Sequence, residues 1–263
     1  MGLSGETRIH LIVGDPIAQV KSPAGLTRVF AERGADAICI PMQVPPRDFD
    51  AFMSAAKRVL NIDGIVITVP HKLAAVRHCD TLSERARILG AVNVMRREGD
   101  GRWFGDMVDG VALVAALHAS GFDPMDRRAL VVGAGGAGSA VALALMEAGA
   151  RLSVCDVDTG RRDELVKRLA PLGQVAAGSS DPSGFDLVVN ATPMGMTPAD
   201  PLPVDATRLA SKALVADFVT KPAVTPLLEA ARRRGSPIVT GEAIFRGDIL
   251  ADFFLRVPER SEP

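Results

Sequence analysis

Six consecutive residues, Gly133-Ala134-Gly135-Gly136-Ala137-Gly138, carry the most specific chemistry in this chain. Their three spaced glycines follow a short apolar run, Ala129–Val132, and open a small-residue helical segment reaching Glu147. In that setting each glycine has a task. The first allows a tight turn, the second lets backbone approach a pyrophosphate, and the third lets helix and strand pack closely. The helix start offers unpaired N–H groups and a positive dipole end to an anion. Asp156 closes the following strand, 18 residues beyond Gly138. There a carboxylate accepts hydrogen bonds from the ribose hydroxyls of NAD and repels the 2′-phosphate of NADP. NAD is therefore the expected cofactor and NADP the second choice. Arg161 and Arg162 could meet a 2′-phosphate, but they read first as a solvated helix face.

Composition removes several alternatives. The 263 residues include no tyrosine, which excludes a phenolic general acid and a Tyr–Lys dehydrogenase dyad. Thirty basic and 31 acidic residues, net charge −1, create no field for nucleic acid or an anionic membrane. Cys39, Cys79 and Cys155 lie far apart with no CxxC spacing, so no metal site is expected. Scattered thiols of odd number fit a reducing compartment, with each Cys a small core residue. The opening MGLSGETRIH has no apolar h-region, and Gly2 with Thr7 does not fit the myristoylation spacing. No apolar run approaches the length of a membrane span. A soluble cytoplasmic protein is the expectation.

The elements that must position these residues alternate in type. Arg8–Val13 reads as a strand ending at Gly14-Asp15-Pro16. Pro23–Arg33 reads as a helix with Ser22 as N-cap. Ala37–Gln43 is a strand, Arg47–Leu60 an amphipathic helix, and Gly64–Val69 a strand. This β-α-β-α-β order predicts a mostly parallel sheet. Ser83–Leu89 is a short helix, Ala91–Met95 and Arg102–Phe104 a hairpin, and Asp109–Ser120 an apolar helix capped by Asp109. A second series starts at Arg128. It adds strands Leu152–Cys155, Leu187–Asn190 and Leu214–Asp217, and helices Asp163–Leu169, Thr225–Arg234 and Glu242–Arg256. The fold class is α/β with two domains joined near 105–110.

Six motifs in one order then resemble the shikimate/quinate dehydrogenase family over residues 8 to 256. They are Gly14-Asp15-Pro16-Ile17-Ala18-Gln19-Val20-Lys21-Ser22-Pro23, Thr68-Val69-Pro70-His71-Lys72, Gly90-Ala91-Val92-Asn93, Asp109-Gly110, Asn190-Ala191-Thr192-Pro193-Met194-Gly195-Met196, and Lys221-Pro222 with Thr225-Pro226-Leu227-Leu228. The resemblance implies an N-terminal α/β substrate domain over 1–107, with 241–263 packing back on it as a C-terminal helix. A Rossmann cofactor domain would cover 108–240, with the site in the cleft between the two. It implies Lys72 as acid/base at the reacting hydroxyl with Asp109 as its partner. Ser22, Thr68 and Asn93 would bind substrate, Ser22 through the carboxylate. Gly133 to Gly138, Asp156, Thr192, Pro193, Met194 and Gly241 would bind the cofactor. His71 reads as structural.

Four departures gather at the implied substrate pocket. Val20 replaces a serine, Met107-Val108 replace Asn-Thr, Thr220 replaces a tyrosine, and Asp248 replaces a glutamine. Each lost hydrogen bond would weaken binding of a polyhydroxylated acid by about 0.5–1.5 kcal/mol. The implied reaction is reversible hydride transfer between a ring secondary alcohol of a shikimate-like hydroxy acid and nicotinamide. Two alternatives stand beside it: action on an amino or less hydroxylated analogue, to which Asp248 would offer a carboxylate, or a non-catalytic cofactor-binding sensor. The expected partners are the small hydroxy-acid substrate and the dinucleotide, with no nucleic acid and no membrane, and the chain a monomer or homodimer.

Overall fold

The computed structural model describes residues 3–18, 20–245 and 247–256. Gly2, Gln19 of the first motif and Arg246 of the last helical segment lie outside them. The chain divides into two compact units. One runs to Val108 and resumes at Phe245; the other is Asp109–Ile244.

The first unit contains β1 (Arg8–Gly14), α1 (Ser22–Glu32), β2 (Ala37–Gln43), α2 (Phe49–Ala56), β3 (Ile62–Ile67), β4 (Thr81–Leu82), α3 (Glu84–Leu89), β5 (Val94–Arg97) and β6 (Trp103–Asp106). Its sheet runs β2-β1-β3-β5-β6-β4. β1 pairs parallel with β2 and β3, while β5 is antiparallel to β3 and β6. The second unit contains α4 (Asp109–Ala119), β7 (Arg128–Val132), α5 (Gly136–Glu147), β8 (Arg151–Cys155), α6 (Thr159–Leu169), β9 (Val175–Ala177), β10 (Leu187–Asn190), β11 (Leu214–Asp217), α7 (Pro226–Arg233), β12 (Ile238–Val239) and α8 (Gly241–Ile244). Its sheet, β12-β11-β10-β7-β8-β9, is parallel throughout. β10 and β11 are buried at every position, as a sheet covered on both faces requires.

The chain returns to the first unit with α9 (Asp248–Leu255). Phe253 and Phe254 join a core cluster with Ile12, Leu26, Phe30 and Val66. Each buried Phe contributes roughly 1.5–3 kcal/mol. His10 on β1 lies between the rings of Phe30 and Phe254, with centroids 4.5 and 4.6 Å away. Its Nδ1 is buried and finds no partner among the described residues, and burial lowers its pKa to about 4. Burial likewise pushes the Cys39 thiol up to about 12, as befits an inert core residue.

Four local expectations change. The last helix is not continuous: Gly247, at φ +91°, breaks it between α8 and α9. A Cβ there would sit 3.2 Å from the Gly25 carbonyl carbon, so the break coincides with close approach to α1. Ser22 is not an N-cap; α1 starts at Ser22 itself, with Lys21 before it and no capping side chain. Similarly, α4 begins at Asp109 as its first helical residue. The helix expected over 47–60 forms only at Phe49–Ala56, and its preceding turn is a short 3-10 segment, Pro46–Asp48.

Candidate active site

In the second unit the glycine loop fits a dinucleotide. β7 stops at Val132, Gly133 turns at φ +106°, and α5 starts at Gly136. A Cβ on Gly133 would lie 2.9 Å from the Thr192 methyl and 3.0 Å from the Ala191 carbonyl oxygen. A Cβ on Gly138 would collide with the Gly133 carbonyl oxygen, so helix and turn touch there. Gly135 differs: nothing lies within 4 Å of its Cβ position, and it has no side chain to cap the helix start. Bare backbone facing open space at a helix N-terminus is what a pyrophosphate needs. Ala134, Gly136 and Ala137 complete the loop.

Asp156 is tied to that loop. Its Oδ2 accepts from the Ala134 N–H at 2.6 Å and its Oδ1 from the Asp158 N–H at 2.8 Å. Asp158 caps α6 by accepting from the Arg161 N–H at 3.0 Å. Arg161 and Arg162 pair with the exposed carboxylates of Asp158 and Asp163. The segment Asn190–Gly195 adjoins the glycine turn through Ala191 and Thr192. Pro193 is exposed; Thr192 and Met194 are half-buried. Gly241, at the start of α8, abuts the Val219 carbonyl oxygen at a Cβ distance of 2.5 Å, one residue before half-buried Thr220.

In the first unit, Thr68, Lys72 and Asn93 are brought together by backbone. The Thr68 N–H donates to the Val13 carbonyl at 2.9 Å, and the Val92 N–H donates to the Lys72 carbonyl at 2.9 Å. The Asn93 carbonyl accepts from the Ile67 N–H at 2.7 Å. His71 anchors this turn: its Nε2 meets the Val44 carbonyl oxygen at 2.7 Å and its ring stacks on Phe49 at 4.2 Å. The peptide bonds before Pro16, Pro70 and Pro222 are cis. Lys72 itself is half-buried. Asn93 Oδ1 accepts from the Val108 N–H at 2.8 Å, fixing the segment that leads into Asp109. Met107 and Val108 are both buried. Asp109 is buried at 4% exposure.

Ser22 and Val20 are half-buried near the start of α1, and Val20 packs on the core cluster. The Ser22 hydroxyl has no hydrogen-bond partner among the described residues. Asp248 is half-exposed, 3.8 Å from Arg33, which also pairs with Asp252. Sequence reasoning missed Asp217 and Thr225 as members of the polar group around Asn190. The available signal was a polar residue ending each fully apolar strand, Leu187–Asn190 and Leu214–Asp217.

Among the described residues no group of His, Cys, Asp and Glu could hold a metal ion, and no helix is long and apolar enough to cross a membrane.

Known proteins resemble this chain in sequence and fold. The family model "Shikimate dehydrogenase substrate binding domain" matches residues 12–95. A shikimate dehydrogenase (NADP(+)) of Rubrobacter xylanophilus is 38% identical over 248 residues, covering 91% of this chain and 87% of that protein. The quinate dehydrogenase of Corynebacterium glutamicum, solved with NAD, superposes with TM-score 0.84 at 28% identity, covering 95% and 94% of the two chains. The 5-ketofructose reductase of Gluconobacter sp. strain CHM43 superposes with TM-score 0.85 at 26% identity, covering 97% and 95%. The NAD preference expected from Asp156 finds no support in the curated relative, whose name favours NADP. With a relative this similar over nearly its whole length, the chain belongs to the shikimate/quinate dehydrogenase family.

Proposed function

We propose that the protein is a nicotinamide-dependent oxidoreductase. It interconverts a ring secondary alcohol of a shikimate-like hydroxy acid and the corresponding ketone. The observation that carries this reading is the 38% identity to a shikimate dehydrogenase over 91% of the chain. The geometry of the glycine loop supports it, because Gly133, Gly135 and Gly138 each fit the task a dinucleotide sets.

When bound, the nicotinamide accepts or supplies the hydride. Lys72 Nζ takes the hydroxyl proton as the carbinol C–H bond breaks, and returns it to the carbonyl oxygen in the reverse direction. The stacked His71 and the Val92 hydrogen bond hold the Lys72 backbone while its side chain works. Asp109 is the acidic member of the catalytic set and accepts from a substrate hydroxyl. Asn93 and Thr68 bind substrate hydroxyls, and Ser22 offers its hydroxyl to the carboxylate. Gly133 to Gly138 hold the pyrophosphate, Asp156 meets the adenosine ribose, and Thr192, Pro193, Met194 and Gly241 border the nicotinamide.

NADP is the cofactor the curated relative's name supports, and Arg161 and Arg162 supply cations for a 2′-phosphate. Asp156 supports NAD. A second reading of substrate rests on Val20, Thr220 and Asp248, which remove or change polar groups. The ketofructose reductase among the fold neighbours supports a substrate outside the hydroxy acids. Arg33 beside Asp248 competes with a substrate ammonium for that carboxylate.

The test follows nicotinamide absorbance with shikimate, quinate, their amino analogues and ketofructose, each with NADP and with NAD. Turnover of a ring acid that Lys72→Ala abolishes supports the first reading; turnover of ketofructose alone supports the second. Tight dinucleotide binding without turnover of any substrate would leave a sensor.

A further inference from the structure

Asp217 ends β11 with its side chain fully buried. It faces Asn190, its register partner at the end of β10, also fully buried. Three donors converge on the carboxylate. Asn190 Nδ2 and the Val219 N–H each reach Oδ1 at 3.0 Å, and the Thr225 hydroxyl reaches Oδ2 at 2.7 Å. An ionised carboxylate can only accept, so Asn190 must present its amide nitrogen there. That choice leaves the Asn190 carbonyl oxygen for the other side. It accepts from the Thr192 N–H at 3.1 Å and from the Thr192 hydroxyl at 2.6 Å. With its proton committed, the Thr192 hydroxyl accepts from the Met194 N–H at 3.1 Å. Asn190 Nδ2 also donates to the Met194 carbonyl at 3.0 Å. The polarity of one buried carboxylate thus propagates, bond by bond, to Met194.

The far end of this chain of bonds lies against the glycine turn, where Thr192 and Ala191 sit beside Gly133. Thr225 closes the near end. It caps α7 by accepting from the Leu228 N–H at 3.3 Å, and it lies 3.4 Å from the Cβ position of Gly195. Both ends of the 190–195 loop are therefore referred to Asp217.

We infer that Asp217 is a positioning residue that sets the conformation of the 190–195 loop beside the dinucleotide cradle, through Asn190 and Thr192. This deepens the proposed function and rests on its reading of Thr192–Met194 as cofactor-bordering. Asp217 touches neither cofactor nor substrate in this role.

The test separates the two ideas by reading the loop without activity. Amide hydrogen exchange at Thr192 and Met194 is measured in ligand-free wild type, Asp217→Asn and Asp217→Ala. Turnover is measured in parallel with whichever substrate the wild type accepts. Exchange at both amides should rise at least about tenfold in Asp217→Ala and less in Asp217→Asn, which keeps one acceptor for Asn190. The kcat should fall about tenfold or more in Asp217→Ala, with substrate KM little changed and partial rescue by Asn. If Asp217→Ala does not fold, Thr192→Val, which removes only the relay hydroxyl, should raise exchange at Met194. Unchanged exchange at Thr192 and Met194 in a folded Asp217 variant, or at Met194 in Thr192→Val, overturns the inference. Raised exchange in a protein that binds no nicotinamide dinucleotide leaves the relay standing and removes the enzymatic reading instead.

Discussion

The two units hold their candidate residues by different means. The second unit builds from backbone: a glycine turn, a helix start and the carboxyl ends of parallel strands. The first unit presents side chains from turns, and steadies them with neighbours such as His71 and Asn93. They differ equally in how each surrounds a buried titratable group. Asp217 sits among three donors, whereas His10 sits between two phenylalanine rings with Nδ1 unpaired. Backbone-built sites tolerate almost no added atoms; side-chain-built ones fail one functional group at a time.

The sharpest break of that contrast is Lys72→Ala. General acid–base catalysis contributes about 10²- to 10⁴-fold, so kcat should fall by that factor while dinucleotide affinity, titrated by fluorescence of the reduced nicotinamide, stays within about twofold. Next come two glycines that look alike in the motif. Gly138→Ala forces a carbon onto the Gly133 carbonyl and should cost about 3 kcal/mol in thermal unfolding. Gly135→Ala has space and an ordinary extended backbone, φ −75° and ψ −168°. Its melting temperature should hold while dinucleotide affinity drops about tenfold or more, or ~1.4 kcal/mol. Equal effects of the two on stability would erase the distinction between packing glycine and ligand glycine.

Acid should separate the units by sign. His10 has a folded pKa of about 4 against an ordinary 6.5, so below 6.5 the unfolded chain takes up the proton first. The first unit should lose stability as pH falls from 6.5 to 4, at most about 3 kcal/mol. Asp217 is raised by burial to about 6 from 3.8, so between these values the folded state holds the extra proton. Asp217 therefore contributes stability to the second unit over that same fall in pH, against the lowered carboxyls of Asp181, Asp200 and Asp205, so its share is read as the difference between wild type and Asp217→Asn. Trp103, the single tryptophan, lies in the first unit and reports its unfolding alone. A Trp103 denaturation midpoint that does not decline between pH 6.5 and 4, or declines equally in His10→Phe, would refute the assignment to His10. The smallest effect belongs to Asp156→Ala, which removes two backbone hydrogen bonds worth about 1 kcal/mol each and should move cofactor choice toward NADP. Unchanged NADP to NAD ratios of kcat/KM would remove Asp156 from cofactor selection.

What the sequence made legible follows the same division. The glycine spacing announced the tight turn between β7 and α5 because its constraints are local, spanning six residues between a strand and a helix. The buried runs Leu187–Asn190 and Leu214–Asp217 announced parallel strands for the same reason. Elements of two or three residues, β4, β9 and β12, exist only by pairing with a neighbour and carry no periodicity of their own. The Asp217–Asn190 bond joins positions 27 apart, and nothing near either residue points to the other. The break at Gly247 was hidden because the apolar stripe continues past it; only the approach to Gly25 makes it necessary. Met107 and Val108 are both buried, and that burial depends on packing that no local pattern in the sequence records.

The return of α9 to the first unit has a consequence for the order of events on the ribosome. The first unit's core lacks Phe253 and Phe254 until the chain has been made almost to its last described residue. By then every strand of the second unit has already been made. The second unit can therefore finish folding first, while the earlier-made segment waits with Phe30 and His10 uncovered, an interval in which chaperones and proteases have their best access to the nascent protein.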